Sequence, residues 1–105
     1  MSNLPFNEII LEKNNKYTRV LREFSNNLDS EDLYWHKDKE DRLIKKIKGH
    51  EWYIQLENNI PCLIPDNSFY FIPKNTWHRI LNKNNTNLVI EVRKLKWEEK
   101  ILLNY

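Results

Sequence analysis

The sequence predicts an all-β domain, a sandwich or barrel of short antiparallel strands, on three observations. Helix signals are weak, because Pro5, Pro61, Pro65 and Pro73 interrupt the chain and each lacks a backbone donor. Asparagine pairs recur at 14–15, 26–27, 58–59 and 84–85, in positions suited to turns. Between them lie short segments rich in β-branched and aromatic residues, several alternating apolar with polar at period two.

Taken in order, residues 1–16 are expected to form an arm or an edge strand, followed by a strand in YTRVLREF (17–24). LIKKI (43–47) and EWYIQLE (51–57) flank Gly49, the chain's single glycine, at a turn. In EWYIQLE, Trp52, Ile54 and Leu56 share one face and Tyr53 and Gln55 the other. The first set should pack, and Gln55 should meet a pocket or a cross-strand partner. LENNIP reads as a hairpin, since asparagine tolerates the positive φ of a two-residue turn. SFYFIP (68–73) is apolar on both faces, as in a strand buried on two sides. WHRIL (77–81) and NLVIEVRKL (87–95) complete the strands, with a looser hairpin expected in LNKNNTNLVI. Residues 96–105 form a C-terminal tail, a strand or short helix packing Leu102, Leu103 and Tyr105. All 105 residues are expected to form one domain, because two would each fall below the size that supports a sufficient core.

Charge excludes some partners. The 17 Lys and Arg and 15 Asp and Glu residues leave a net +2 and are mixed along the chain, without the basic block of a nucleic-acid binder. No apolar run is long enough to span a membrane. The lone Cys62 cannot close an intrachain disulfide and reads as a small buried hydrophobe, and no apolar leader follows MSNLPFNEII. A cytoplasmic protein is expected.

WHKDKEDRLIKKIKG (35–49) carries the first candidate chemistry. It places Ser30, five residues, His36-Lys37-Asp38, three residues, Arg42, six residues and Gly49. A second stretch places Asn67, five residues, Pro73-Lys74-Asn75, two residues, His78, three residues and Asn82. These spacings resemble the paired motifs of the cupin superfamily. The first family motif runs glycine, His-x-His, glutamate, glycine, and the second runs glycine, Pro-x-Gly, histidine, asparagine. Asn67 and Asn75 stand at two of the glycine positions and can still enter the left-handed region. The seventeen residues between Gly49 and Asn67 suit the short intermotif hairpin of a small single-domain cupin. The resemblance covers residues 30–82 and implies a cupin-type β-barrel, the double-stranded β-helix or jelly roll.

Residues two apart in a strand share a face, so His36 and Asp38 would project together, and His78 could converge on them from another strand. Two imidazoles and a carboxylate suit non-haem Fe, and also Mn, Ni, Co or Zn. Asp38 keeps a ligand at the second family histidine, while Arg42 stands at the usual glutamate and cannot ligate a metal. Either Glu40, which shares parity with His36 and Asp38, supplies the carboxylate, or Arg42 binds an anion in a site without metal. Arg42, Gln55, Arg79 and Tyr53 are the candidate substrate-binding residues.

A structural role accounts for several of the same residues. His36 and His78 could be hydrogen-bonded barrel histidines, Asp38 a partner of Arg42, and Glu40 and Asp41 surface or salt-bridge groups. Arg42 and Arg79 could bind carboxylates of the KDKED run. Trp35, Trp52 and Trp77 read as core or interface aromatics, and His50 as exposed. The resemblance implies a divalent metal and a small polar or anionic metabolite as ligand, with isomerase, epimerase, lyase or dioxygenase chemistry open. The alternative is a metal-free ligand-binding or sensory protein with an anion or sugar pocket. A homodimer is expected, since uncovered edge strands need a partner.

Overall fold

A computed structural model describes residues 5–26, 33–83 and 86–96. Eight strands carry the chain: β1 (Phe6–Lys13), β2 (Tyr17–Phe24), β3 (Arg42–Lys48), β4 (Trp52–Leu56), β5 (Cys62–Leu63), β6 (Tyr70–Ile72), β7 (His78–Asn82) and β8 (Leu88–Leu95). They form a five-stranded sheet, β1-β2-β8-β3-β6, and a three-stranded sheet, β5-β4-β7, with every pairing antiparallel. The all-β expectation holds, and no helix occurs among the described residues.

Alternation decides which face is buried. Val20 and Phe24 of β2, Ile90 and Val92 of β8, Ile44 of β3 and Ile72 of β6 turn inward from the larger sheet. Trp52 and Ile54 of β4 meet them from the smaller sheet, and Leu33 and Ile64 close the core. Trp52 is wholly buried, and its indole N–H donates to the Thr86 carbonyl at 2.9 Å. The expectation for EWYIQLE is met: Gln55 has a cross-strand partner, Arg79, whose Nε donates to Gln55 Oε1 at 3.0 Å.

Gly49 moves the chain from one sheet to the other between β3 and β4. Its φ is +128°, and a Cβ there would lie 2.7 Å from the Asn87 carbonyl oxygen, so only glycine fits. The same corner is tied to β8 by His50 N–H donating to Thr86 Oγ1, which in turn donates to the His50 carbonyl. His50 itself is exposed, as expected.

Several expectations need correction. LNKNNTNLVI is not a hairpin: β7 pairs with β4 and β8 with β2 and β3, so the chain crosses between sheets there. LENNIP does join the antiparallel β4 and β5, but its turn centres on Glu57-Asn58, with Asn58 at φ +61° and Asn59 N–H donating to the Leu56 carbonyl. SFYFIP is buried on one face only: alternation turns Ile72 into the core and Phe71 to the outer face of the larger sheet, where it is exposed. Cys62 is exposed on β5, the edge of the smaller sheet, rather than buried. Trp52 is core as expected; Trp35 and Trp77 are exposed beneath the cations of Arg79 and Lys37, so of their two expected roles the core one does not apply. Residues 6–13 form the expected edge strand; Ser30 and the tail with Leu102, Leu103 and Tyr105 lie outside the described residues.

Glu91 is a buried charge on the outward side of β8, 6% exposed, where its Oε2 accepts from Arg19 Nε at 2.8 Å and Arg93 Nε at 2.9 Å. Burial pushes its carboxyl up, but the two guanidinium groups outweigh burial and hold it below the usual value of 4.5. A lowered folded-state pKa stabilises the fold above the unfolded value, and that contribution is lost as pH falls through the folded one. Glu91→Gln is expected to lower stability at pH 7 by about 1–2 kcal/mol, below the range for a fully buried pair because both arginines still reach water. Urea unfolding between pH 7 and 3 should also show a shallower acid loss in the variant; an unchanged acid limb would refute the assignment.

Candidate metal centre

The segment after Leu33 runs beside β7 and is anchored to it by one bridge: His36 N–H donates to the His78 carbonyl at 3.0 Å, and His78 N–H to the His36 carbonyl at 2.8 Å. A second tie comes from the turn after β6. Asn75, at φ +58°, donates its N–H to the Asp38 carbonyl at 2.7 Å, and Lys74 N–H donates to Asp41 Oδ1 at 2.8 Å. Asparagine thus meets the left-handed requirement at the Pro-x-Gly position; Asn67 has no positive φ to meet.

These ties bring His36, Asp38 and His78 together, with one potential ligand atom from each lying within 4.8 Å of the others. The two imidazole rings stand 4.2 Å apart. His78 Nδ1 lies 2.8 Å from the Thr76 carbonyl oxygen, and His36 Nδ1 lies 3.1 Å from that of Tyr34. A carbonyl oxygen only accepts, so each Nδ1 carries the proton, and in each neutral ring Nε2 keeps its lone pair. His78 Nε2 lies 3.2 Å from Asp38 Oδ2, which is buried and has no hydrogen-bond partner. With His78 neutral, its lone pair faces that oxygen in a buried place, an arrangement that a cation between them would relieve. The donor set and this orphaned oxygen fit a divalent metal ion, and the three residues form a cluster that could hold one.

Charge follows the same geometry. Burial pushes the Asp38 carboxyl up, but a protonated His78 and the Arg42 guanidinium overrule it and hold it below the usual value. His36 sits at the rim, yet its ring is partly withdrawn from water; this desolvation, reinforced by His78 and Arg42, lowers its pKa against the pull of the Tyr34 carbonyl. Arg42 Nη2 reaches Asp38 Oδ1 at 3.2 Å, on the oxygen opposite the one that faces His78. Asp38 is therefore positioned to offer a single oxygen to the centre.

Glu40 stands outside the cluster. The chain bends at Lys39 and Glu40 and loses strand parity, and Glu40 Oε1 accepts from both Nε and Nη2 of Arg42 at 2.9 and 2.7 Å. Arg42 lines a cavity of about 640 Å³ together with His36, Asp38 and His78. Arg79, Gln55 and Tyr53 do not line it: His78 and Ile80 of β7 and Trp52 and Ile54 of β4 take the inner face, leaving the alternate residues on the outer one. There Arg79 stacks over the Trp35 ring at 4.7 Å, and Lys83 lies over Tyr53.

Arg22, Lys94 and Glu8 do line the cavity, although the motif spacings carry no hint of them. Two of them leave a trace in the alternation. Thr18, Val20, Arg22 and Phe24 share the inner face of β2, and Leu88, Ile90, Val92 and Lys94 that of β8, so each cation occupies a core-side position in an otherwise largely apolar row.

No protein-family model matches the sequence, and no curated protein matches it. Solved structures do match in shape. A cupin domain from Bordetella pertussis superposes with a TM-score of 0.68 at 13% identity, over 91% of this chain and 98% of the other. An RmlC-like cupin family protein with a double-stranded β-helix fold from Methanocaldococcus jannaschii gives 0.68 at 18% identity, over 91% and 86%. A structure described as that of DMSP lyases gives 0.72 at 15% identity, over 86% of this chain and 47% of that one. Identities this low carry architecture and not chemistry, and the architecture, two facing antiparallel sheets, is the cupin-type fold of these structures.

Proposed function

We propose that the protein binds a divalent metal ion through His36, Asp38 and His78 and uses the adjoining cavity to hold or act on a small polar or anionic metabolite. The observation that carries this reading is the buried Asp38 Oδ2, without a hydrogen-bond partner and 3.2 Å from His78 Nε2. Such an orphan is costly unless something positive meets it. The carbonyl partners of both Nδ1 atoms support it further, since they orient each ring with Nε2 free, as a ligating histidine requires. When bound, a divalent ion supplies Lewis acidity toward a carbonyl or carboxylate oxygen. The chain's own residues do the rest: Arg42 orients Asp38, and aliphatic side chains line the cavity beside the centre.

The test is elemental analysis of tag-free protein beside His36→Ala and His78→Ala, each checked for folding by circular dichroism. Near-stoichiometric Fe, Mn, Ni, Co or Zn in the parent, absent from both variants, is the expected result. A parent protein that takes up none of these, even when each is added back, would exclude the metal.

A second reading, a metal-free ligand-binding protein, is favoured by Arg42 at the position where the family pattern has a ligating glutamate. It predicts the same cavity as the binding site and no effect of chelators on ligand affinity. The DMSP lyases among the similar folds do not decide between the readings, because a shared fold does not transfer a reaction.

A further inference from the structure

Arg22 and Lys94 come from different strands and meet on the inner face of the larger sheet, over one carboxylate. Glu8 Oε1 accepts from Arg22 Nε at 2.6 Å, and Glu8 Oε2 lies 3.8 Å from Lys94 Nζ. Both cations are largely withdrawn from water, with side chains 13% and 27% exposed. Among the described residues no protein acceptor meets either Nη of Arg22, and none lies within hydrogen-bond distance of the Lys94 ammonium. Arg42 differs, since Glu40 and Asp38 both bind it. Among the described residues Arg22 and Lys94 therefore share a single carboxylate, Glu8, within ion-pair distance.

We propose that Arg22 and Lys94 form an anion subsite that takes the carboxylate of a small monoanionic ligand, whose apolar body rests on Ile44, Ile72, Ile90 and Val92. One carboxylate shared between two cations leaves a place for one further negative charge. The guanidinium N–H groups that meet no acceptor among the described residues suit the two oxygens of a planar carboxylate. The four aliphatic side chains line the same cavity and give the rest of the ligand an apolar wall. Desolvation points the same way: burial first, then Arg42, lowers the pKa of Arg22, and burial first, then Arg22, lowers that of Lys94, against the pull of Glu8 on both. A bound anion relieves both. The inference rests on the cavity being the ligand site, and not on the metal.

The experiment is calorimetric titration of the full chain, treated with EDTA, with acetate, butyrate, hexanoate and inorganic phosphate at low ionic strength. Affinity is expected to rise roughly threefold to fourfold for each added methylene, the gain that burying one CH₂ supplies. Hexanoate should bind more tightly than phosphate. Lys94→Gln and Arg22→Gln should each weaken hexanoate at least about tenfold, the loss of a charge-assisted bond. Should Arg22→Gln fail to fold, Lys94→Gln decides alone, with its melting curve as the folding control. Hexanoate binding no better than acetate, phosphate binding more tightly, or an unchanged affinity in folded Lys94→Gln would each overturn the subsite. Metal uptake measured on matched preparations without EDTA separates the two readings. Hexanoate bound as expected by protein that takes up no metal removes the metal and keeps the subsite, whereas retained metal without hexanoate binding does the reverse.

Discussion

Asp38→Asn is expected to weaken divalent-metal binding by at least about a hundredfold, while the metal-free variant is as stable as the parent or more so. Removing even an outer partner of a metal ligand costs about tenfold to a hundredfold, and Asp38 is the one carboxylate in the cluster. Without metal the balance runs the other way. Asp38 Oδ2 is buried and without a hydrogen-bond partner against His78 Nε2, and a buried group left in that state costs about 1–3 kcal/mol. An asparagine amide at the same place can donate to the His78 lone pair while its oxygen still accepts from Arg42. The comparison belongs at pH 8, above the range in which ordinary imidazoles are protonated. Metal affinity by competition with a chelator and stability by urea unfolding should move in opposite directions. A variant that loses several kcal/mol in the metal-free state would mean that the Asp38–His78 contact is a structural ion pair, and the metal reading would lose its main support.

Trp52→Ala should have the largest effect on the fold, a loss of about 4 kcal/mol. The indole is 0% exposed, packs beside Phe24 with ring centroids 6.1 Å apart, and uses its N–H on the Thr86 carbonyl. Truncation leaves a cavity where the two sheets meet and removes the bond that ties β4 to the crossover before β8. Domains of this size are stable by only about 5–15 kcal/mol, so thermal melting should fall by roughly 15–30 °C. Trp52→Phe, which keeps most of the volume but not the donor, should lose less than half as much. A melting temperature within about 5 °C of the parent for Trp52→Ala would contradict the burial assigned to it.

Much of this architecture can be read locally. Period-two alternation in YTRVLREF, EWYIQLE and NLVIEVRKL marks β2, β4 and β8 and their buried faces, because side-chain direction in a strand depends only on the neighbouring residues. Gly49 and Asn75 mark two corners, since positive φ restricts the residue type wherever the rest of the chain lies. The spacing of His36, Asp38 and His78 also singled out the three residues that meet. Where parity was interrupted or the partner strand was unknown, local reading stopped. The bend at Lys39–Glu40 turned Glu40 onto Arg42 and away from the histidines. An outer-face position left Phe71 exposed, and an edge position Cys62, although both look apolar in sequence. Arg79 and Gln55 are motif neighbours, yet the alternation that aims His78 inward aims them outward. Alternation aims Arg22 and Lys94 inward and the β1–β2 hairpin brings Glu8 to Arg22, but the meeting of that pair with Lys94 has no local cause. It arises because β1, β2 and β8 are adjacent in the larger sheet, and adjacency between strands seventy residues apart is settled by long-range pairing and packing, not by the residues beside them.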